Sequence, residues 1–366
     1  MNYLIEKVCF EISNFTVKST KIINSHLLIH RGENYDKYTI INYIGKGTVG
    51  QVYLIKSNEN KYVIKISNND CIDDIMDEVT LYKNYFEKYN IVHKSYPIYY
   101  GLFKNINAAG IIYPYFGFYN LEKIKSITYK IEWEFNKQII IQLINQLKAL
   151  RNIIHCDLKP SNVVINVHTS SNNIIATIID FGLVKMSKGD INIISTNYIT
   201  SPESLLSLRD YNDCLELNDN IDLSKHDYFG LFSIIVNLFI DNTFWHLIYK
   251  YLTDIGIDRD FLYTQESSCI FVYTWYKFFN KNIQNIKLKS LINLINKIES
   301  LYPNIINKNF LTYNEFFNKY IQSHINLEIF DYKKLDDLEN FTQSIIQFNS
   351  ELRPNFDNLL SHNFIN

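Results

Sequence analysis

Proline, glycine and cysteine are all scarce in this sequence. Its 366 residues include 6 Pro and 11 Gly, whereas Asn, Ile, Lys and Tyr are abundant, a bias typical of AT-rich genomes such as those of some viruses and protists. The 5 Cys are scattered, odd in number and never spaced as Cys-x-x-Cys. This pattern argues against a structural zinc site and favours a reducing, intracellular compartment, which for a viral protein would be the host cytoplasm.

Charge of one sign and long apolar runs are also missing. The formal net charge is −2, so no basic groove accompanies the 28 Tyr and 24 Phe, and we expect no nucleic-acid partner. Residues 1–15 lack the apolar core of a signal peptide. The longest strongly apolar stretch, residues 231–240, is interrupted by Ser233 and Asn237 and is too short to cross a bilayer. We therefore expect a buried helix there and no membrane segment.

The residues that are present suit a large globular chain. The hydrophobic content of 47% is enough for a sizeable core, and the charged content of 20% argues against general disorder. β-branched and aromatic runs predict strands at residues 38–44, 51–55, 62–66, 110–113, 163–165 and 178–179. Apolar periodicity predicts helices at residues 73–89 and 138–147 and in much of the later chain. A β-rich part followed by an α-rich part indicates the α+β class, with the joint near residues 114–118.

Three glycines form a Gly-x-Gly-x-x-Gly pattern between two predicted strands. In dinucleotide-binding folds this pattern opens a helix, so its place in a hairpin argues against such a fold. Glycine lets the backbone approach phosphate groups closely and present N–H donors, although an ordinary Gly-rich hairpin fits the pattern equally well. The candidate nucleotide-binding residues of this hairpin are Ile44, Gly45, Lys46, Gly47, Thr48, Val49, Gly50, Gln51 and Val52.

Lys65 lies between apolar residues in the strand that follows this hairpin. A lysine among apolar neighbours is costly unless its charge is paired. We expect it to contact the α and β phosphates of ATP and a carboxylate on the helix at residues 73–89. Glu78 is the preferred partner, with Asp74 and Asp77 as alternatives because the loop before the helix is short.

Five short motifs follow in the rest of the chain. They are His155-Cys156-Asp157-Leu158-Lys159-Pro160-Ser161-Asn162, Asp180-Phe181-Gly182, Ser201-Pro202-Glu203, Asp227-Tyr228-Phe229 and Leu352-Arg353-Pro354. Together with the glycine pattern, their order resembles that of eukaryotic-type protein kinases. The resemblance covers residues 38–366 and leaves residues 1–37 as an extension of no assigned role. It implies a bilobal fold, with a small β-rich N-lobe at about residues 38–115 and a larger α-rich C-lobe at about 116–366.

The resemblance also implies a chemistry. It makes the chain an ATP-dependent enzyme that transfers the γ-phosphate of ATP to protein substrates, with Asp157 as the catalytic base. Asn162 and Asp180 would hold Mg²⁺, which prefers hard oxygen ligands. Lys159 would reach the γ-phosphate as charge moves. Phe116 would donate its backbone N–H to adenine, with Tyr113 at the back of that pocket.

The Ser/Thr branch of the family matches best. Its members carry a lysine two residues after the catalytic aspartate, as Lys159 is here, and a threonine shortly before the Ala-Pro-Glu motif, where Thr196 lies. Two other functions remain open. One is a catalytically silent pseudokinase that acts as a binding scaffold, and the other is a kinase for a small molecule. The motif around Glu203 and Thr196 argue against the small-molecule kinase.

Three further expectations depend on single features. Cys156 replaces the arginine that grips an activation-segment phosphate in the family, so we expect activity without such a phosphate. Glu203 and Arg353 are expected to form a buried ion pair. The stretch between Asp227 and Arg353 is longer than the family usually needs, which predicts an insertion within residues 254–335. Such an insertion would form either a partner surface or an elaborated helical face.

Overall fold

The computed structural model describes most of the chain. The described residues are 5–12, 26–31, 33–47, 49–67, 70–91, 93–104, 106–117, 119–125, 133–150, 152–168, 173–187, 199–214, 222–240, 243–264, 266–279, 289–325 and 332–366. Two expected site residues, Thr48 and Thr196, lie outside them. The chain divides into two compact units. The first comprises Met1–Phe118, Val164–Asn166 and Thr177–Gly182, and the second comprises Tyr119–Val163, Val167–Ala176 and Leu183–Asn366.

Seven strands of the first unit form a sheet that closes on itself in the order β1-β2-β3-β4-β5-β7-β6. Neighbouring strands are antiparallel except β1 and β6, which are parallel. The strands predicted at residues 38–44, 51–55, 62–66 and 110–113 are confirmed as β3, β4, β5 and β7. The bounds are β1 Glu6–Ile12, β2 His26–Arg31, β3 Asn34–Lys46, β4 Gly50–Ser57, β5 Asn60–Ser67, β6 Tyr99–Phe103 and β7 Ala109–Pro114.

Strands β1 and β2 come from the N-terminal residues to which the sequence assigned no role. Along β1 the side chains of Val8, Phe10 and Ile12 point into the core and alternate with more exposed neighbours, as in a strand with one buried face. The parallel pairing with β6 brings the backbones close at Gly101. A Cβ there would lie 1.7 Å from the carbonyl oxygen of Val8, so only glycine fits.

The helix expected at residues 73–89 is confirmed over most of its length, but it changes type at Tyr82. An α-helix, α1, spans Ile72–Leu81 and is followed by a π-helical segment, Tyr82–Glu87. The wider turn keeps Tyr82 and Phe86 buried, and the Phe86 ring packs edge-on against Phe181 at 5.1 Å between centroids. Helix α1 therefore presents Glu78 to the sheet, while the π-helical segment covers the residue that follows Asp180.

The second unit is mainly helical, so the two units together agree with the α+β class. The helix expected at residues 231–240 is confirmed as α5, which is buried along its whole length, and the one at 138–147 lies within α3. The helices are α2 Leu121–Lys125, α3 Trp133–Leu150, α4 Pro202–Leu206, α5 Asp227–Phe239, α6 Phe244–Asp254, α7 Ser267–Phe278, α8 Lys289–Leu301, α9 Pro303–Ile306, α10 Tyr313–Phe316, α11 Tyr332–Ile345 and α12 Phe356–Leu360.

Five further strands follow β7 in the described part of the chain, which also contains short 3₁₀-helical segments and a second π-helical segment, Phe317–Ile321. These strands are β8 Tyr119–Asn120, β9 Ile153–Ile154, β10 Val163–His168, β11 Asn173–Ile178 and β12 Lys185–Met186. The strands expected at residues 163–165 and 178–179 correspond to β10 and the end of β11. Strand β9 pairs with β12 and leads directly into the motif that begins at His155.

Part of the stretch predicted to contain an insertion lies in the core of the second unit. Trp275 of α7 is fully buried and packs against Phe229 of α5 and Phe244 of α6. In the described part of the chain, no single helix is long and apolar enough to cross a membrane. Helices α5 and α6 meet that criterion only as a pair, bent by 98°.

Candidate active site

The glycine hairpin joins β3 to β4. The two strands pair as far as Lys46 and Gln51, and the Gly47 N–H donates to the Gly50 carbonyl at 2.9 Å. A Cβ on Gly50 would lie 2.0 Å from the Ile66 carbonyl oxygen, so packing against β5 requires that glycine. A Cβ on Gly45 would meet nothing within 4 Å. Packing therefore gives no reason for a glycine at position 45, whereas the close approach of a phosphate to the backbone would give one.

Lys65 forms an ion pair with Glu78 inside the first unit. Its Nζ lies 2.7 Å from Glu78 Oε2 and 3.8 Å from Asp180 Oδ1. The Glu78 side chain is only 4% exposed. The other carboxylate oxygen of Glu78 accepts a hydrogen bond from the Tyr113 hydroxyl at 2.5 Å. The expected pairing of Lys65 with Glu78 is therefore confirmed, and Tyr113 is a partner of Glu78 that the sequence did not indicate.

The surroundings of Lys65 and Tyr113 determine the protonation state of both side chains. Burial alone would lower the pKa of Lys65, but the carboxylates of Glu78 and Asp180 outweigh it and raise that pKa. Burial raises the pKa of the Tyr113 hydroxyl, and the Glu78 carboxylate raises it further. Lys65 is thus a cation and Tyr113 a neutral donor at neutral pH. The Asp180 carboxylate is 48% exposed and lies within reach of a ligand.

Asp157, Lys159 and Asn162 form the second cluster, inside the second unit. Lys159 Nζ lies 2.7 Å from Asp157 Oδ2. The Asn162 side-chain amide donates to the Asp157 carbonyl at 2.8 Å and to Asp157 Oδ2 at 3.2 Å. The carboxylate is therefore held between an ammonium and an amide, which fixes its direction while leaving it 14% exposed.

The donor set suits the expected magnesium ion. The Asn162 NH₂ group is directed at Asp157, which turns its amide oxygen to the other side. An amide oxygen and a carboxylate are hard ligands of the kind Mg²⁺ takes when phosphates supply the remainder. Asn162, in the second unit, and Asp180, in the first, are thus each chemically suited to bind Mg²⁺.

The backbone around Asp157 is anchored from α5. Asp227 Oδ2 accepts the His155 N–H at 2.7 Å and Asp227 Oδ1 accepts the Cys156 N–H at 3.0 Å. Cys156 adopts φ +68°, in the left-handed region that few non-glycine residues occupy. Asp180 is similar, with φ +64°. Backbone conformations of this kind cost energy and persist where surrounding contacts hold them, often at functional sites.

The side chain of Cys156 is buried in an apolar cluster with Ile154 and Leu223. Burial raises the pKa of its thiol well above the usual value, so the group is a neutral thiol. A guanidinium at this position would lose its hydration without gaining a partner from the cluster. A cysteine in place of the arginine of the family therefore suits the apolar surroundings of this side chain.

The expected ion pair between Glu203 and Arg353 is confirmed. Both side chains are buried, and Arg353 Nη2 donates to Glu203 Oε2 at 2.9 Å while Nη1 donates to Oε1. The remaining N–H groups of the guanidinium bind the carbonyls of Gln347, Lys225 and Phe348. All five donors of the arginine are thus used, which a lysine could not achieve.

Of the other expected residues, Phe116 lies in the loop that follows β7, and Ile44 and Val52 lie on β3 and β4 beside the glycines. The structure brings Lys65, Glu78 and Asp180 together in one unit, and Asp157, Lys159 and Asn162 together in the other.

The sequence did not indicate the role of Asp227 as anchor of the backbone before Asp157. Its only signal was the position of Asp227 at the start of the most apolar helix.

Two histidines of the second unit make its stability sensitive to acid. Burial lowers the pKa of His226 and of His362. The unfolded chain therefore binds protons more readily than the folded one, and the unfolding free energy falls as pH drops below about 6.5. For His226 the slope is at most about 1.4 kcal/mol per pH unit. Urea unfolding between pH 5 and 7.5 measures it.

In that experiment, His226→Gln should flatten the acid limb, whereas His246→Gln, at an exposed position, should leave it unchanged. The limb reflects the burial of His226 together with its charged neighbours Asp227, Glu203 and Arg353. An unchanged slope in His226→Gln would contradict this origin.

Comparison with known proteins gives a match to a family model and to several relatives. The protein kinase domain model matches residues 38–365. Serine/threonine-protein kinase greatwall of Bos taurus is 24% identical over 190 residues, which cover 50% of this chain and 20% of that protein. The mitogen-activated protein kinase HOG1 of Wallemia muriae is 30% identical over 90 residues, or 24% of this chain and 31% of that protein. The probable serine/threonine-protein kinase yakA of Dictyostelium discoideum is 27% identical over 200 residues, or 52% and 13%. The chain therefore spans less than a third of the length of these relatives.

Proposed function

The chain belongs to the protein kinase family, and on that premise we propose that it is an active ATP-dependent Ser/Thr kinase. The observation that carries the proposal is the paired arrangement of charge: Lys65 held by buried Glu78 next to Asp180, and Asp157 held by Lys159 and Asn162. Phosphoryl transfer needs positioned charge more than covalent chemistry. A scaffold that binds no nucleotide has no need to hold these charged groups in such pairs.

In this proposal ATP binds through the first unit. Lys65 contacts the α and β phosphates, and Glu78, itself held by Tyr113, fixes the ammonium of Lys65. The backbone of the hairpin from Ile44 to Val52 covers the phosphates, and the Phe116 N–H donates to adenine. Support comes from Gly45, at which packing does not demand glycine.

The transfer itself is assigned to the second cluster. The Asp157 carboxylate accepts the proton of the attacking hydroxyl, and Lys159 faces the γ-phosphate as negative charge develops on it. Bound Mg²⁺ would neutralise phosphate charge, with Asn162 and Asp180 as its protein ligands. Serine and threonine are the proposed acceptors because Lys159 occupies the position typical of that branch. Thr196, outside the described residues, would support Asp157 directly.

Phosphoamino-acid analysis tests the proposal. Wild-type protein is incubated with Mg²⁺ and γ-labelled ATP in the presence of myelin basic protein, and the labelled product is hydrolysed. We expect label on serine and threonine that disappears when EDTA is added. Label on tyrosine would overturn the Ser/Thr assignment, and background label with every substrate would favour the scaffold.

Activity should not require a phosphate on the segment before Glu203. Ser187 and Thr200 are buried, and Cys156 offers no cation to receive a phosphate. We therefore expect the triple variant Ser187→Ala, Ser195→Ala and Thr200→Ala to keep kcat within about threefold of wild type, since no charge-assisted contact is lost. Steady-state phosphorylation of myelin basic protein measures this, and phosphatase treatment of wild type is the parallel control. Complete loss of activity would contradict the expectation.

A further inference from the structure

Three consecutive residues at the start of α5 hold three different segments of the second unit. Lys225 Nζ donates to the carbonyls of Ser350 and Arg353, at 3.0 and 2.5 Å. Asp227 accepts the backbone N–H groups of His155 and Cys156. His226 lies between these two residues, and its Nδ1 is 3.0 Å from the hydroxyl oxygen of Ser201. Lys225 and Asp227 thus hold residues 350–353 and the backbone before Asp157, and His226 contacts the segment that leads into α4.

Ser201 is the N-cap residue of α4. Its hydroxyl accepts the Ser204 N–H at 3.2 Å, and its carbonyl accepts the Ser204 hydroxyl at 2.8 Å. Both Ser201 and His226 are buried, with relative exposures of 0% and 1%. A hydrogen bond between two groups so far from water is costly to break on one side only. The position of the α4 start therefore depends on the His226 ring.

The same ring lies next to the backbone that precedes Asp157. It is near enough to Cys156, the residue before Asp157, for the backbone of Cys156 to influence the pKa of the imidazole. A neutral imidazole has one acceptor and one donor nitrogen. It can serve both neighbours at once if Nδ1 accepts from the Ser201 hydroxyl and the other nitrogen donates to the Cys156 carbonyl. Burial keeps the ring neutral by lowering its pKa, which is the state this arrangement needs.

We propose that His226 is a positioning residue that fixes the segment at Ser201 to the backbone before Asp157, and so aligns a bound protein substrate with the catalytic base. This proposal rests on the proposed kinase function. It supplies a link made of neutral hydrogen bonds at a place where Cys156 removes the possibility of a link through a bound phosphate. The link is permanent, because it needs no modification to form.

Kinetics of three variants test the proposal. His226→Leu should lower kcat/KM for a peptide substrate about tenfold, the effect of one buried hydrogen bond, while the KM for ATP stays within about twofold. His226→Gln, whose amide both donates and accepts, should recover most of the loss. Ser207→Ala removes another hydroxyl of the α4 region, one that bonds to the Ser204 carbonyl, and should leave both constants unchanged. Equal losses for peptide and ATP, or wild-type kinetics in His226→Leu, would overturn the role.

A double-mutant cycle and hydrogen exchange complete the test. If the two side chains act as one link, the losses in His226→Leu and Ser201→Ala should not add in the double variant, whereas independent losses would contradict the link. His226→Leu should also speed amide exchange at residues 199–206, with ATP absent. Exchange reports on the link even in an inactive protein. An inactive wild type with faster exchange in the variant would refute the kinase function but keep the link.

Discussion

Replacing Lys65 with Met should lower kcat/KM for ATP by about 10²–10³-fold, the usual effect of removing one preorganised charge that faces the reacting phosphates. In the structure the ammonium lies 2.7 Å from Glu78 and 3.8 Å from Asp180. The substitution would leave two carboxylates without their shared cation, one of them deeply buried. Their uncompensated negative charge would also repel the phosphates of ATP, so binding and turnover should both weaken. Initial rates over a range of ATP concentrations measure the effect.

The matched control for this variant is Lys37→Met, on an exposed position of β3 in the same sheet. It removes the same charge from the same unit and should leave kcat/KM unchanged. Circular dichroism of both variants distinguishes lost chemistry from lost folding. If Lys65→Met kept its ATP kinetics while folded, Lys65 would have no part in binding the phosphates.

Replacing Arg353 with Leu should lower the unfolding free energy of the second unit by about 3–5 kcal/mol, the usual cost of leaving one member of a buried ion pair alone. Glu203 would lose its ion-pair partner in a site with almost no solvent access. The carbonyls of Gln347, Lys225 and Phe348 would lose a donor as well. Urea unfolding followed by tryptophan fluorescence suits the measurement. All three tryptophans, Trp133, Trp245 and Trp275, belong to the second unit.

Two comparisons distinguish the effect of breaking this buried ion pair from that of breaking an ordinary surface ion pair. The double variant Arg353→Leu with Glu203→Leu should cost less than the sum of the single variants, because no unpaired charge remains. Lys148 and Asp357 form a pair whose side chains are about half and two-thirds exposed, and Lys148→Met should cost no more than about 1 kcal/mol. A loss for Arg353→Leu as small as that for Lys148→Met would contradict the buried pair.

Strands rich in β-branched and aromatic residues, such as β4 and β5, were predictable because local composition determines them. Strand β1 was not predicted, although the alternation of Val8, Phe10 and Ile12 is a local signal for a strand with one buried face. Its parallel pairing with β6 could not be predicted, because the partner lies about ninety residues away and depends on close contact at Gly101. The change from α1 to a π-helical segment at Tyr82 also has no local signal.

The site shows the same division. The pairs of Lys65 with Glu78 and of Glu203 with Arg353 could be predicted, since a charged residue among apolar neighbours needs a partner and the motif order restricts the choice. The hydrogen bond from the Tyr113 hydroxyl to Glu78 could not be predicted, and neither could the one between the His226 ring and Ser201. Neutral hydrogen bonds between distant residues leave no pattern in composition or spacing, so only the folded chain reveals them.

The central claim is that this chain transfers phosphate and does not merely bind nucleotide. The most direct test measures ATP binding and phosphate transfer side by side in wild type and in Asp157→Asn, which keeps the size of the side chain but removes its basicity. We expect wild type to bind Mg²⁺-ATP and to phosphorylate myelin basic protein, and Asp157→Asn to bind ATP with similar affinity while transfer falls to background. Equal transfer by both proteins, at background or above it, would contradict the claim.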